Sequence, residues 1–420
     1  MPLTESVRAA YVVPHNNGPS CGAQAPRPGT KKGICMNKTA IRLVAAAAVA
    51  GLGIAGCSSS KSPSNSSTNS AAPTTSAAAT DTSAPGSSAP AAVTGSVGVI
   101  LPDTQSSTRW ETADRPALQK AFEAAGIKAD IQNALGDKTK FQSIAQSMIQ
   151  EGVKVLIITD IDPPTSIQVE SEAKAANIPV IDYDRLVLGG SAAYYASYDG
   201  VSVGVQQGQC LVDAMAKINK PTGQIIMIDG SPTDNNATLF GQGAHSVIDK
   251  STLKKVSEQA IPGWDNTQAG KTFQQLLTAN GNKVDGVYVM NDGMAGPVIQ
   301  VLTANGLNGK VPVTGQDATA AGLQAILKGD QTCTIYKDAT AEANAAASLA
   351  VDLIQGKTPD GLVPSHDPTG NRDVPSILLK PELITKDNVG DPIKSGAVPY
   401  ASVCTGDYVA LCTAAGITAS

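Results

Sequence analysis

Histidine is scarce in this chain: His15, His245 and His366 are scattered over 420 residues. There is also no C-x-x-C pair, so nothing has the spacing of a zinc site, and no metal or cofactor is expected. G-x-S-x-G, H-E-x-x-H and the Walker A loop are missing, as is a G-x-G-x-x-G following a strand. Paired carboxylates that hydrolyse glycosides need no such motif, so that chemistry stays open. Basic excess is missing too. Lys and Arg number 31 against 36 Asp and Glu, a net charge of −5, which excludes the electrostatic footprint of a nucleic-acid binder. Aromatic residues make up only 4% of the chain, and just two are tryptophan. The apolar run from Leu43 to Ile54 is too short to span a bilayer.

That run reads as part of an export signal. Lys38 and Arg42 precede it, and Ile54-Ala55-Gly56-Cys57 closes it ahead of a serine cluster. The ending resembles a bacterial lipobox, in which the cysteine becomes the lipidated first residue. Met36 is accordingly read as the start, with residues 1–35 an over-extended start, 36–56 a lipoprotein signal peptide and Cys57 the lipidation site. Residues 57–94 hold this cysteine and a Ser/Thr/Ala/Pro tether unable to bury a core. Seven cysteines are present. Setting aside Cys21, Cys35 and Cys57 leaves an even number in an oxidising compartment. Cys404 and Cys412, close in sequence, are expected to pair, with Cys210 and Cys333 as the remainder.

From Gly95 a strict alternation begins. Val97–Leu101, Val153–Ile158 and Ile178–Ile181 are continuous apolar runs, separated by stripes of helical period such as Phe141, Ile144, Ala145, Met148. Such runs belong to parallel strands covered on both faces. The rhythm restarts after Tyr198 with strands expected at 224–228, 256–261, 285–290, 311–314 and 332–336 between helices. A long Ala-rich helix follows at 340–355, then a strand at 377–379 and an irregular tail. Two doubly wound α/β units in tandem result.

Polar residues collect at the strand ends, where open α/β sheets bind ligands. The first strand leads to Arg109 and Trp110, the fourth to Asp184 and Arg185. In the second half the ends carry Asp234, Asn235 and Asn236, then Asn291 and Asp292, then Asp317, and finally Lys337. Each Asp or Asn taken alone reads first as a helix cap, and Trp110 reads equally as a core anchor. Their recurrence in both halves suggests one shared site. Asp accepts, Arg and Lys donate and Asn does both, as sugar hydroxyls require. Trp110 and Trp264, one per half, supply flat walls for a ring.

Tyr183-Asp184-Arg185, Gly230-Ser231-Pro232-x-Asp234-Asn235-Asn236-Ala237, Asn291-Asp292, Thr314-Gly315-Gln316-Asp317 and Tyr336-Lys337 resemble, in order, the D-xylose-binding family of bacterial ABC sugar importers, close to the multiple-sugar-binding receptors. The resemblance implies the type I periplasmic-binding-protein fold: two Rossmann-like lobes, a hinge and a sugar in the cleft. The expected lobes are 95–198 with about 338–372, and 199–337 with about 373–420. It implies hydroxyl contacts from Arg109, Arg185, Asn235 or Asn236, Asn291, Asp317 and Lys337, walls at Trp110 and Trp264, and a role for Asp184 in orienting Arg185 or binding a hydroxyl. One departure stands out. The family's Leu-Phe-Arg is Leu239-Phe240-Gly241 here, which loses a donor and bears on which sugar is bound.

The expectation is thus a non-enzymatic, monomeric lipoprotein on the outer face of the cell membrane. It would deliver a monosaccharide, D-xylose or a similar aldopyranose, to an ABC permease and its ATPase subunit. The alternatives are a sugar sensor signalling to a chemoreceptor or kinase, and a carbohydrate-active enzyme. A sugar-responsive repressor of the same fold would need a helix-turn-helix where the tether stands.

Overall fold

The computed structural model describes residues 95–419. The readings on the Met36 start, the signal segment, lipidation at Cys57 and the tether lie outside these residues. The chain enters through β1 (Ser96–Leu101), buried from its second residue onward. A π-helical turn, Trp110–Asp114, then leads into α1 (Arg115–Ala124). β2 (Lys128–Asn133), α2 (Lys138–Gln150), β3 (Val155–Ile158), α3 (Pro163–Ala175), β4 (Val180–Tyr183) and β5 (Tyr194–Tyr198) complete the first run. β3 and β4 are wholly buried. That is why they read as continuous apolar runs: helices cover both faces of the sheet.

The second lobe begins with α4 (Gly200–Lys217) and β6 (Gln224–Asp229), followed by α5 (Asn235–Ile248), β7 (Lys254–Ala260) and α6 (Asn266–Ala279). It continues through β8 (Gly286–Val289), α7 (Asp292–Ala304), α8 (Ala320–Lys328) and β9 (Cys333–Tyr336). Its three-stranded parallel sheet runs β7-β6-β8. The expected strand at 311–314 is reduced to one bridge, Val313 to Val287.

The chain then returns. α9 (Ala339–Gln355) packs its alanines on α1 and the first sheet. β10 (Val363–Asp367) and β11 (Arg372–Leu379) join that sheet, whose order is β10-β11-β5-β4-β3-β1-β2. The expected switch to the second lobe at about 373 is therefore corrected to a point after Leu379. The apolar run marks only 377–379 because Pro375 interrupts the strand, which extends over Arg372–Leu379. In the structure Pro375 precedes the four residues that pair with β5, so its missing N–H falls outside that ladder. β12 (Glu382–Thr385) pairs antiparallel with β9. The tail forms α10 (Asp391–Lys394), α11 (Tyr400–Val403) and α12 (Tyr408–Ala414) where irregular structure was expected.

The chain therefore crosses between lobes three times: before α4, before α9 and after β11. The crossings are tied together. The amide of Asp199 donates to the carbonyl of Leu379 at 2.9 Å, and the Tyr198 hydroxyl donates to the carbonyl of Asp338 at 2.9 Å. Disulfides join Cys210 to Cys333 and Cys404 to Cys412.

Candidate functional site

The site is built outward from the π-turn. The amide of Arg115 reaches back five residues to the carbonyl of Trp110. This widened turn sets the Arg109 fork against Asp114, with Nε donating to Oδ2 at 2.7 Å and Nη2 to Oδ1 at 2.5 Å. Nη2 also donates to Glu342 Oε2 on α9 at 2.7 Å, and the Tyr183 hydroxyl donates to Asp114 at 2.7 Å. Two nitrogens of the fork are thereby held from behind. Nη1 points forward, 2.9 Å from Asp184 Oδ2 and 3.7 Å from Asp317 Oδ1. The guanidinium carbons of Arg109 and Arg185 lie 4.8 and 5.2 Å from the Trp110 ring centroid, within cation–π range.

Asp184 has φ +62, a left-handed backbone that few non-glycine residues adopt. Its carbonyl is what secures it. That oxygen accepts from Tyr195 Oη at 2.9 Å, Ser197 Oγ at 2.8 Å and, across the cleft, Asn236 Nδ2 at 3.0 Å. Asp317 and Trp264 also have positive φ, +95 and +55. Backbone strain of this kind gathers at ligand sites, where the surrounding contacts enforce it.

From the second lobe, Asp234 does two jobs. It caps α5 by accepting the Asn236 amide at 2.8 Å. Its other oxygen takes Trp264 Nε1 at 2.9 Å and the Arg185 Nε, from the first lobe, at 3.0 Å. Gly230 allows this, since a Cβ there would lie 2.1 Å from the Trp264 ring. Asn291 accepts the Met294 amide at 2.9 Å and donates across the cleft to the Ser106 carbonyl at 3.1 Å. Lys337 Nζ reaches Asp184 at 2.9 Å and Asp317 at 3.6 Å.

Of the residues expected from sequence, Trp110, Asp184, Arg185, Asn236, Trp264, Asn291, Asp317 and Lys337 line one narrow cavity of about 20 Å³. Arg109 stands immediately behind it, paired to Asp184. Two expectations are corrected. Asn235 is buried but does not line the cavity. Asp292 faces away from it, accepting from Gln331 Nε2 at 2.7 Å, Thr334 Oγ1 at 2.9 Å and the Thr319 amide at 2.9 Å. Gly322 leaves room for that carboxylate, because a Cβ there would approach it to 2.1 Å. Asp292 thus braces the start of α8, the segment that follows Asp317.

Sequence reasoning missed Ser106, Ser107, Phe240 and Gln316 in the lining, and Asp114 and Glu342 behind Arg109. Asp234 stands among the strand-end residues of the shared site, but it is given no contact of its own there. Glu342 had a visible signal, being the lone acid on the buried alanine face of α9.

Burial favours the neutral form of Asp184, but the charges of Lys337, Arg109 and Arg185 override it and hold its carboxyl well below the usual range. Glu342 is pushed up to about 8 by burial and by the charge of Asp184, against the pull of Arg109. Asp160, at the cleft mouth, is pushed up to about 7 by burial, with Asp234 adding to the effect. Counting Arg109, Arg185 and Lys337 against Asp114, Asp184, Asp234, Asp317 and Glu342, carboxyls outnumber cations. Gln316 Oε1 and Asp317 Oδ1 are buried and accept no hydrogen bond among the described residues. No cluster of three or more metal-ligating side chains occurs among those residues.

A bilobal α/β protein with a polar, aromatic-walled cleft between its lobes has the architecture of a protein that binds a small ligand between them. The family model described as "Periplasmic binding protein domain" matches residues 97–358, and the chain belongs to that family. It is 38% identical over 301 residues to the D-xylose-binding periplasmic protein of Escherichia coli, covering 71% of this chain and 88% of that protein. It is 34% identical over 316 residues to the multiple sugar-binding periplasmic receptor ChvE of Rhizobium radiobacter, covering 71% and 89%. Among solved structures, a carbohydrate transporter solute binding protein from Chloroflexus aurantiacus in complex with D-glucose superposes with a TM-score of 0.66. It shares 30% identity over 73% of this chain and 97% of that one.

Proposed function

We propose that the protein is the extracytoplasmic sugar-binding component of an ABC importer, and that it captures a neutral aldopyranose, D-xylose or a close analogue, between its lobes. One observation carries this reading. Two cations and three carboxylates from both lobes line a cavity together with two tryptophans, and two buried acceptors there lack donors among the described residues. An unsatisfied buried acceptor costs about 1–3 kcal/mol, which a sugar hydroxyl would recover. The excess of carboxyls disfavours sugar acids and sugar phosphates.

The cross-lobe bonds describe a closed arrangement too narrow for a ring. Arg185–Asp234, Lys337–Asp184 and Asn291–Ser106 would have to part, and sugar hydroxyls would take over their donors and acceptors. Sugar binding both lobes then favours closure by its differential affinity for the closed state. About ten heavy atoms at roughly 0.8 kcal/mol each gives binding near micromolar. The closed protein would hand its sugar to a membrane permease powered by a separate ATPase subunit, with the lipid on Cys57 as the anchor. Gly241 removes the family donor beside Phe240, so the class is better supported than xylose itself. A thermal-shift panel of pentoses and hexoses tests the reading. One sugar should raise the melting temperature by mass action, and a flat response to every monosaccharide would sink it.

A further inference from the structure

The cleft does not end at the central cavity. On the side away from the polar mouth it continues into an annex of about 470 Å³. The two compartments share Asp317 and Lys337, and Arg109 borders the annex from behind the central site. Beyond that charged end the walls are mainly apolar, with Ala113 from the first lobe, Ala320 and Ala321 from α8, and Val398 and Pro399 from the tail, interrupted by hydroxyl groups such as those of Thr112 and Ser402. The mouth on the opposite flank, of similar size, is instead lined by Asp103, Lys138, Asp160 and Asp265. The cleft therefore has two open flanks, one with several charged residues in its lining and the other mainly apolar.

Because both lobes and the tail contribute walls, a group lodged in the annex would contact the closed form more fully than an open one. Asp317 is the joint between compartments. Its side chain is 5% exposed, and its Oδ1 lies 3.7 Å from Arg109 and 3.6 Å from Lys337 while accepting no hydrogen bond. A ligand suited to both spaces has hydroxyls at one end and an apolar group at the other.

We propose that the annex holds the apolar aglycone of a glycoside whose sugar ring occupies the central site, so that the receptor takes O-substituted sugars as well as unsubstituted ones. This rests on the sugar-binding reading above.

Calorimetry on the full chain with D-xylose, D-glucose and their phenyl α- and β-glycosides tests it. For a sugar that binds, one phenyl anomer should bind within about tenfold of it or tighter. Ala321→Phe, at an exposed helix position, should lower affinity for that glycoside at least about tenfold and leave the unsubstituted sugar within about twofold. Ala397→Phe, in the tail segment that also lines the annex, should do the same and guards against a folding defect in the first variant. The inference is overturned if the sugar binds and both phenyl anomers fail, or if the filling variants weaken sugar and glycoside equally or affect neither. If no unsubstituted sugar and no glycoside binds, the sugar-binding reading itself has failed.

Discussion

Asp184 and Lys337 meet at 2.9 Å across the cleft, one at the end of a first-lobe strand and the other at the end of β9. Both side chains are nearly inaccessible, so each neutralises a charge that would otherwise be stranded. Removing one charge of a buried, hydrogen-bonded pair typically costs about 2–5 kcal/mol. That cost falls on the sugar-free protein, where the pair is intact. Because a sugar hydroxyl would replace Lys337 on the Asp184 carboxylate, Asp184→Asn should also weaken sugar binding, by about 1.5–3 kcal/mol for the lost charged acceptor, read by calorimetry. Unchanged affinity would remove Asp184 from the site.

Trp110→Ala should cost on the order of 1–3 kcal/mol of sugar affinity if the ring stacks on a sugar face. The variant also loses packing, since Trp110 is buried beside α1, so its melting curve must be recorded alongside. A well-folded variant that keeps its affinity refutes the wall role. Asp317→Ala should be worse than Trp110→Ala, because it removes both a buried acceptor open to a sugar hydroxyl and the negative charge that faces Arg109 and Lys337. Undiminished binding there would exclude Asp317.

Glu342 predicts a pH dependence with a definite sign. Its carboxyl, raised to about 8 by burial and the Asp184 charge, keeps its proton in the folded protein over a range where the unfolded chain has lost it. The unfolded state then binds fewer protons, so stability falls as pH rises from the ordinary carboxylate range towards 8. Glu342→Gln keeps an oxygen for Arg109 and removes the titration. Its melting temperature should decline less than wild type between pH 5 and 8. Parallel curves for the two proteins would show that Glu342 does not set this slope.

The Cys210–Cys333 bridge closes a loop of sequence separation 123 within the second lobe, whereas Cys404–Cys412 closes one of 8. Cross-links stabilise chiefly by restricting the unfolded chain, more so for long loops. Replacing Cys210 and Cys333 together by serine should cost about 2–5 kcal/mol in denaturant titration, and the short bridge less. Equal losses from the two pairs would contradict the loop-length argument.

What could be read from sequence was what local periodicity and strand-end chemistry encode. β1, β3 and β6 announce themselves as apolar runs, and several of the residues just after the strands gather around one cavity. The failures have a common cause: partnership at long range. Asp292 sits beside Asn291 in sequence, yet Gln331 and Thr334 draw its carboxylate away from the cleft. Glu342 joins Arg109 across 233 residues. Asp234 looked like a cap and is one, but no local pattern shows that its second oxygen also binds Trp264 and Arg185.

The three passages of the chain between lobes also dictate an order of synthesis. Strands β10 and β11, which complete the first-lobe sheet, are made only after α4 to α8 and the parallel strands of the second lobe. β12, which pairs with β9, comes later still. Neither lobe can finish its sheets while the nascent chain is short, although domains generally fold as units from the N-terminal end. Completion of both is postponed until nearly the whole polypeptide has been made, so a truncated chain lacking its last strands would leave both sheets with an unpaired edge.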